Sequence, residues 1–279
     1  MGLLDGIAKK KGARTADLTL AYLSALFNWY APRHDTFRSP IVRGMRRVRP
    51  KERARTRVLD DQEVRDLWAG LDAGCKSGEL PSCCARFIRM LLLTAVRRTE
   101  AADANWPEIS SLDREDYRGD VLVIPAARMK GKIDHAVPLT PAVTALIGDR
   151  PKGKDVKGPF IFSTTEGKRP FSGFSKAKAA LDNHIAAVRN KDGREPMPAW
   201  VLHDLRRTGK TLMQRAGVRP DISERVLAHV IPGGRGRLRP LWLPARKAGG
   251  ARPAGGDHGS HPENGDRRVM SALRATSAE

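Results

Sequence analysis

After Gly233 the sequence loses every apolar period. The stretch "GGRGRLRPLWLPARKAGGARPAGGDHGSHPENGDRRV" is rich in Gly, Pro, Arg and Ala, and its apolar residues recur with a period of neither two nor 3.6. Such a segment buries too little apolar surface to offset the entropy of ordering it, so residues 233–279 are expected to be disordered. Whatever folds must be built from what precedes them.

Upstream, the patterning is mostly helical. In "ADLTLAYLSALFNWY", residues 16–30, Leu18, Tyr22, Leu23, Leu26 and Phe27 fall at helical spacing. One such helix cannot hold a core, so residues 1–50 read as the remnant of a small helical domain. A basic run without apolar period follows, "RGMRRVRPKERARTR". Its residues Arg43, Arg46, Arg47, Lys51 and Arg53 are candidates to touch a phosphate backbone, with 51–57 as a linker; a merely solvated linker would have the same composition. In "LDDQEVRDLWAGL", Asp60 and Glu63 have the spacing of a capping box, and Val64, Leu67, Trp68 and Leu71 follow at i, i+3, i+4, i+7. A second domain is therefore placed at 58–232. Within it the pattern predicts a helix through Leu93, a break at 94–98, a helix from Thr99, strands at 121–125 and 132–139 around the turn "RMKGK", and helices near 175–188, 204–216 and 222–228. The fold class is α+β, mainly helical, with a small antiparallel sheet.

Charge narrows the partner. Lys+Arg number 51 against 31 Asp+Glu, a formal charge of +20 that suits a polyanion such as DNA or RNA. Cys75, Cys83 and Cys84 form no CxxC pair and have no partnering histidine, which argues against a zinc site or a disulfide framework. No stretch is long and apolar enough for a membrane span, and "MGLLDGIAKKKGART" lacks the apolar run of a secretory signal, so a cytoplasmic location is expected.

Basic and imidazole groups gather at the ends of elements: Arg97 at the helix break, Lys130 in the hairpin turn, His203 and Arg206 in "HDLRRTGKTL", and His229 after an apolar helical stretch. His203 and Arg206 lie one turn apart on one face. A positive pair at a helix start opposes the helix dipole and makes sense if an anion sits there. Each residue alone reads equally as a solvated charge. Together, two arginines offer bidentate donors to one phosphate, while a lysine and two histidines add hydrogen bonds or transferable protons. That set suits phosphoryl transfer on a nucleic-acid backbone with neither metal nor cofactor.

These residues stand in four ordered motifs. "LLLTAVRRTEAADANW" is similar to a T-G-x-R-x-S-E box, "KGKIDHAVPL" to a hairpin lysine followed by V-P-L, "HDLRRT" to H-x-L-R-[HR]-[ST], and "VLAH" to L-G-H. The chain thus resembles the tyrosine recombinases, or phage-type integrases, over residues 58–232. The resemblance implies a helical core-binding remnant followed by the family's catalytic domain, double-stranded DNA as partner, and a tetramer on two DNA sites. It implies that Arg97 and Arg206 clamp the scissile phosphate and that Lys130 protonates the leaving 5′-oxygen. His203 would assist proton transfer and His229 hydrogen-bond the phosphate. Arg98 and Arg207 are assigned to packing or DNA-backbone contact.

The family's nucleophile is a tyrosine shortly after the L-G-H histidine. Here the only tyrosines are Tyr22, Tyr30 and Tyr117, all upstream of His203. One choice of codons for "GRLRPLWLPARKA", read one base later, gives "AVYDRYGYLPEK", with a tyrosine in the expected place. A frameshift near residues 232–234 is therefore expected, and the short N-terminal part suggests truncation. Ala228 replaces the motif's glycine. The rival reading is a non-catalytic DNA-binding remnant of an integrase; a metal-dependent nuclease and a basic ribosomal protein are less compatible with the four motifs.

Overall fold

The computed structural model describes residues 2–48, 55–113, 117–153 and 157–229. Lys51, Arg53 and the tail expected to be disordered and out of frame lie outside them. The chain divides into two compact units, Met1–Thr56 and Arg57–Glu279.

In the first unit, α1 (Leu3–Lys11) packs on α2 (Ala13–Tyr30). The helix expected at 16–30 is present, but its buried face carries Ala16, Asp17 and Leu20, whereas Leu18, Tyr22 and Leu26 are exposed. The periodicity located the helix and misplaced its inner face. Asp17 is buried because its carboxylate accepts the backbone N–H groups of Arg47 at 2.9 Å and Val48 at 3.2 Å. The Arg47 guanidinium pairs with Asp5 at 2.5 Å, while Arg43 and Arg46 are exposed.

The second unit opens with the expected capping box. The Asp60 carboxylate accepts from Glu63 N at 2.8 Å, and the Glu63 carboxylate accepts from Asp60 N at 2.9 Å. From there α3 runs Asp61–Ser77, with Leu67 and Leu71 fully buried. Gly70 and Gly74 let α3 lie against α7 (Phe174–Lys191): a Cβ on Gly70 would come within 2.8 Å of Ile185. Next come α4 (Ser82–Thr94), whose Phe87 meets Phe162, Phe171 and Phe174, and the short α5 (Arg98–Ala102).

The sheet is three-stranded and antiparallel in the order β1 (Ile109–Asp113), β2 (Arg118–Ile124), β3 (His135–Pro138). The two strands expected are β2 and β3, but β3 begins at His135 rather than Lys132. Ile124 pairs with His135, Lys132 takes φ 53°, and Asp134 accepts the Ala126 N–H at 2.7 Å, which closes the base of a loop at 125–134. β1, "ISSLD", was not expected, since its serines break the apolar alternation. Neither was α6 (Pro141–Ile147), although Thr140 caps it and Pro141 starts it. The last helices are α8 (Leu202–Arg215) and α9 (Pro220–Val226).

Candidate active site

The site forms where α4 ends against α8. Gly209 of α8 makes this approach possible: a Cβ there would sit 3.0 Å from the Leu92 carbonyl oxygen and 3.2 Å from the Ala95 Cβ. Beneath it, Ala95, Met213, Val218 and Leu227 form a small apolar cluster that ties α9 to α8. Beyond Thr94 the chain turns sharply, with Ala95 in the left-handed region at φ 51°. That turn presents Arg97 as the residue before α5. Its backbone N–H donates to the Glu100 carboxylate at 2.9 Å and its Nη1 to the same carboxylate at 2.6 Å. Glu100 is buried.

Arg206 lies one turn into α8 and is only 6% exposed. Nη1 donates to the Ala95 carbonyl at 2.5 Å, and Nη2 donates to the Leu227 carbonyl and faces His229 Nε2 at 3.2 Å. Burial, then the Arg97 charge, pushes its pKa down to about 10, with Glu100 and Glu224 opposing. A guanidinium this buried, held by neutral carbonyls beside a second guanidinium, is a site in which an added anion is favoured.

The remaining predicted residues are placed unequally. His203 stands in the first turn of α8; desolvation and the charges of Arg207 and Arg206 lower its pKa. His229 follows α9, where Ala228 takes φ 48° in place of the motif's glycine. Its Nδ1 lies 2.5 Å from Glu224 Oε2. Lys130 is exposed in the 125–134 loop and makes no hydrogen bond or ion pair among the described residues. Arg207 pairs with the buried, helix-capping Asp204 at 2.6 Å, and the Arg98 guanidinium lies 4.7 Å over the Phe174 ring, so both contribute packing.

Two groups at the site escaped the sequence reading. In sequence His135 is only one position of the strand expected at 132–139. It is buried near the Val226 backbone, and its pKa is pushed down to about 4, first by burial and then by the Arg206 and Arg97 charges, against Glu100. Glu224 accepts from Lys210 Nζ at 2.5 Å as well as contacting His229. In sequence it is indistinguishable from any surface acid in "SERVLAH".

Comparison with known proteins bears on the family and the fold. Residues 57–231 match the phage integrase family. The prophage integrase IntA of Escherichia coli (strain K12) is 33% identical over 140 residues, which cover 50% of this chain and 30% of that protein. Among solved structures, a lambda integrase (75-356) dimer bound to a COC' core site is similar with TM-score 0.55 and 14% identity, covering 81% of this chain and 76% of that one. The Tn1549 transposon integrase in complex with circular intermediate DNA is similar with TM-score 0.54 and 18% identity, covering 81% and 75%. At these identities the structural likeness speaks for the fold. With the family match spanning well over half its length, the chain belongs to the phage integrase family.

Proposed function

We propose that this chain is the phosphate-binding and catalytic region of a site-specific DNA recombinase or integrase, and that as written it holds DNA without cutting it. The observation that carries this reading is the pairing of Arg97 and buried Arg206, with Glu100 as the buried carboxylate beside them. A DNA phosphate would supply the missing negative charge and accept bidentate hydrogen bonds. Arg97 and Arg206 would stabilise the charge that develops on the non-bridging oxygens during a metal-free transesterification. Lys130, carried in on its loop, would protonate the leaving 5′-oxygen, with His203 assisting proton transfer at the nucleophile and His229 hydrogen-bonding the phosphate. The exposed Arg43 and Arg46 suit contacts to the DNA backbone.

The attacking tyrosine has no counterpart after His229. We attribute this to a frameshift at about residues 232–234 that replaced a segment like "AVYDRYGYLPEK". Its loss would remove the nucleophile and also the segment through which family members contact a neighbouring subunit, so a tetramer on DNA is not expected of this chain. The lambda integrase, bound to a COC' core site or a Holliday junction, and the Tn1549 integrase, bound to circular intermediate DNA, suggest the substrate class, DNA at a recombination site.

Fluorescence anisotropy with a labelled duplex tests the clamp. The unmodified chain should bind, with affinity falling as salt rises, and Arg206→Ala or Arg97→Ala should each weaken binding about tenfold, the scale of a charge-assisted hydrogen bond. Equal affinity in the variants would show that the pocket holds no phosphate.

A further inference from the structure

Beyond the clamp itself stands a second line of groups that none of the four motifs contains. On α9, the Glu224 carboxylate accepts from Lys210 Nζ of α8 at 2.5 Å, and its other oxygen lies 2.5 Å from His229 Nδ1. The far ring nitrogen, His229 Nε2, lies 3.2 Å from Arg206 Nη2. The hydrogen-bonding roles along this chain are forced. A guanidinium can only donate, so Nε2 must accept. The Lys210 ammonium, foremost, holds Glu224 below the ordinary glutamate pKa, so its carboxylate has no proton to give and Nδ1 must donate. Both contacts therefore call for the same tautomer, with the proton on Nδ1. The backbone supports the geometry, since the His229 N–H donates to the Glu224 carbonyl at 2.9 Å.

We infer that Glu224, steadied by Lys210, is a positioning residue that fixes the tautomer and ring orientation of His229 in the DNA-free clamp, where Nε2 accepts from Arg206. When a phosphate enters, Nε2 takes a proton from solvent to donate to it, and the Glu224 carboxylate holds the resulting imidazolium in the same orientation. The inference rests on the clamp reading. Glu224 touches neither Arg206 nor the space an anion would fill; it acts through the imidazole, as an outer carboxylate does in holding a ligating or catalytic histidine. Lys210 prevents the carboxylate from swinging away. A free imidazole side chain prefers its Nε2–H form, so without Glu224 an N–H would meet the Arg206 N–H groups and the ring would turn.

Long-range nitrogen-15 correlation spectra of the chain, with His229 assigned through His229→Gln, read the tautomer directly. The wild type should show a protonated Nδ1 and a bare Nε2 at neutral to slightly alkaline pH. Glu224→Gln should keep that pattern, because its amide oxygen still accepts from Nδ1. Glu224→Ala should release the ring to the Nε2–H form, and Lys210→Met, which leaves the core untouched, should move it part of the way. Duplex binding should weaken about fivefold in Glu224→Ala but not further in a His229→Ala background, the mark of a residue acting through its neighbour. A wild-type ring protonated on Nε2, a ring unaffected by Glu224→Ala, or a binding loss that persists undiminished without His229 would each overturn the proposal. If the wild type binds no duplex, the clamp reading fails, while the ring spectrum still decides the role of Glu224.

Discussion

Two parts of the proposed site are held in opposite ways. Arg206 is buried, and its guanidinium is fixed by the Ala95 and Leu227 carbonyls and by His229, with Arg97 tied to Glu100 beside it. Lys130 projects from the 125–134 loop, exposed and without a hydrogen bond among the described residues. The contrast fits the tasks proposed for them. Groups that bind a dianionic transition state gain from being fixed in advance, because they then cost no reorganisation when the charge develops. A general acid that must reach one oxygen of a bound duplex gains instead from a free side chain, here on a loop held by Asp134 to Ala126, by buried Met129 and by Arg128, whose guanidinium meets the Glu100 carbonyl and the Glu108 carboxylate.

The comparison can be broken or sharpened by substitution. The largest effect is expected from Arg206→Ala in a chain whose tail is restored to the other frame: DNA cleavage should fall about a thousandfold, the scale of losing a pre-set charge-stabilising donor. Next comes His135, which burial keeps neutral down to a pKa of about 4. In the unfolded chain it takes up a proton near pH 6.5. Between these values the unfolded state binds more protons, so stability should fall as pH drops from 6.5 to 4, by about 3 kcal/mol in all, and level off below. Urea unfolding across this range measures it, and His135→Gln, which has no proton to take up, should remove that contribution. Gly209→Val should cost about 2 kcal/mol by lifting α8 off the Leu92 carbonyl, and it should weaken duplex binding because Arg206 moves with the helix. A smaller gain, about 0.5 kcal/mol in thermal unfolding, is expected from Ala228→Gly, which relieves a left-handed alanine against glycine's entropy cost. Smallest of all, Lys130→Ala should change stability by less than about 0.5 kcal/mol while lowering cleavage by the restored chain.

The fixed side was the more legible one in sequence. Arg97, His203, Arg206 and His229 are recognisable because their spacing to helix ends is imposed by short-range geometry, and the Asp60 capping box marks the start of α3 for the same reason. The groups that complete the site come from elsewhere. His135 belongs to a strand edge that meets α9 only in the folded chain, and Glu224 acquires meaning only when Lys210 closes on it from α8. The burial of α2 was misjudged because a polar residue, Asp17, anchors its inner face through backbone N–H groups far along the chain, while the apolar stripe at Leu18, Tyr22 and Leu26 is exposed. Of the sheet, β2 is legible as the apolar run "VLVIP" and β3 by alternation, whereas β1 shows neither. The two left-handed alanines, Ala95 and Ala228, both occupy positions where the motifs have glycine, and the structure supplies the reason for glycine there.

The central claim is that a phosphate clamp has outlived its nucleophile. A denaturing gel tests it most directly, using a nicked suicide duplex that carries the recombination site, incubated with the chain as written and with a version whose tail reads "AVYDRYGYLPEK" after His229. The account predicts a covalent protein–DNA adduct from the restored version and none from the chain as written. An adduct from the chain as written, or none from a restored version that is folded and binds the duplex, would contradict it.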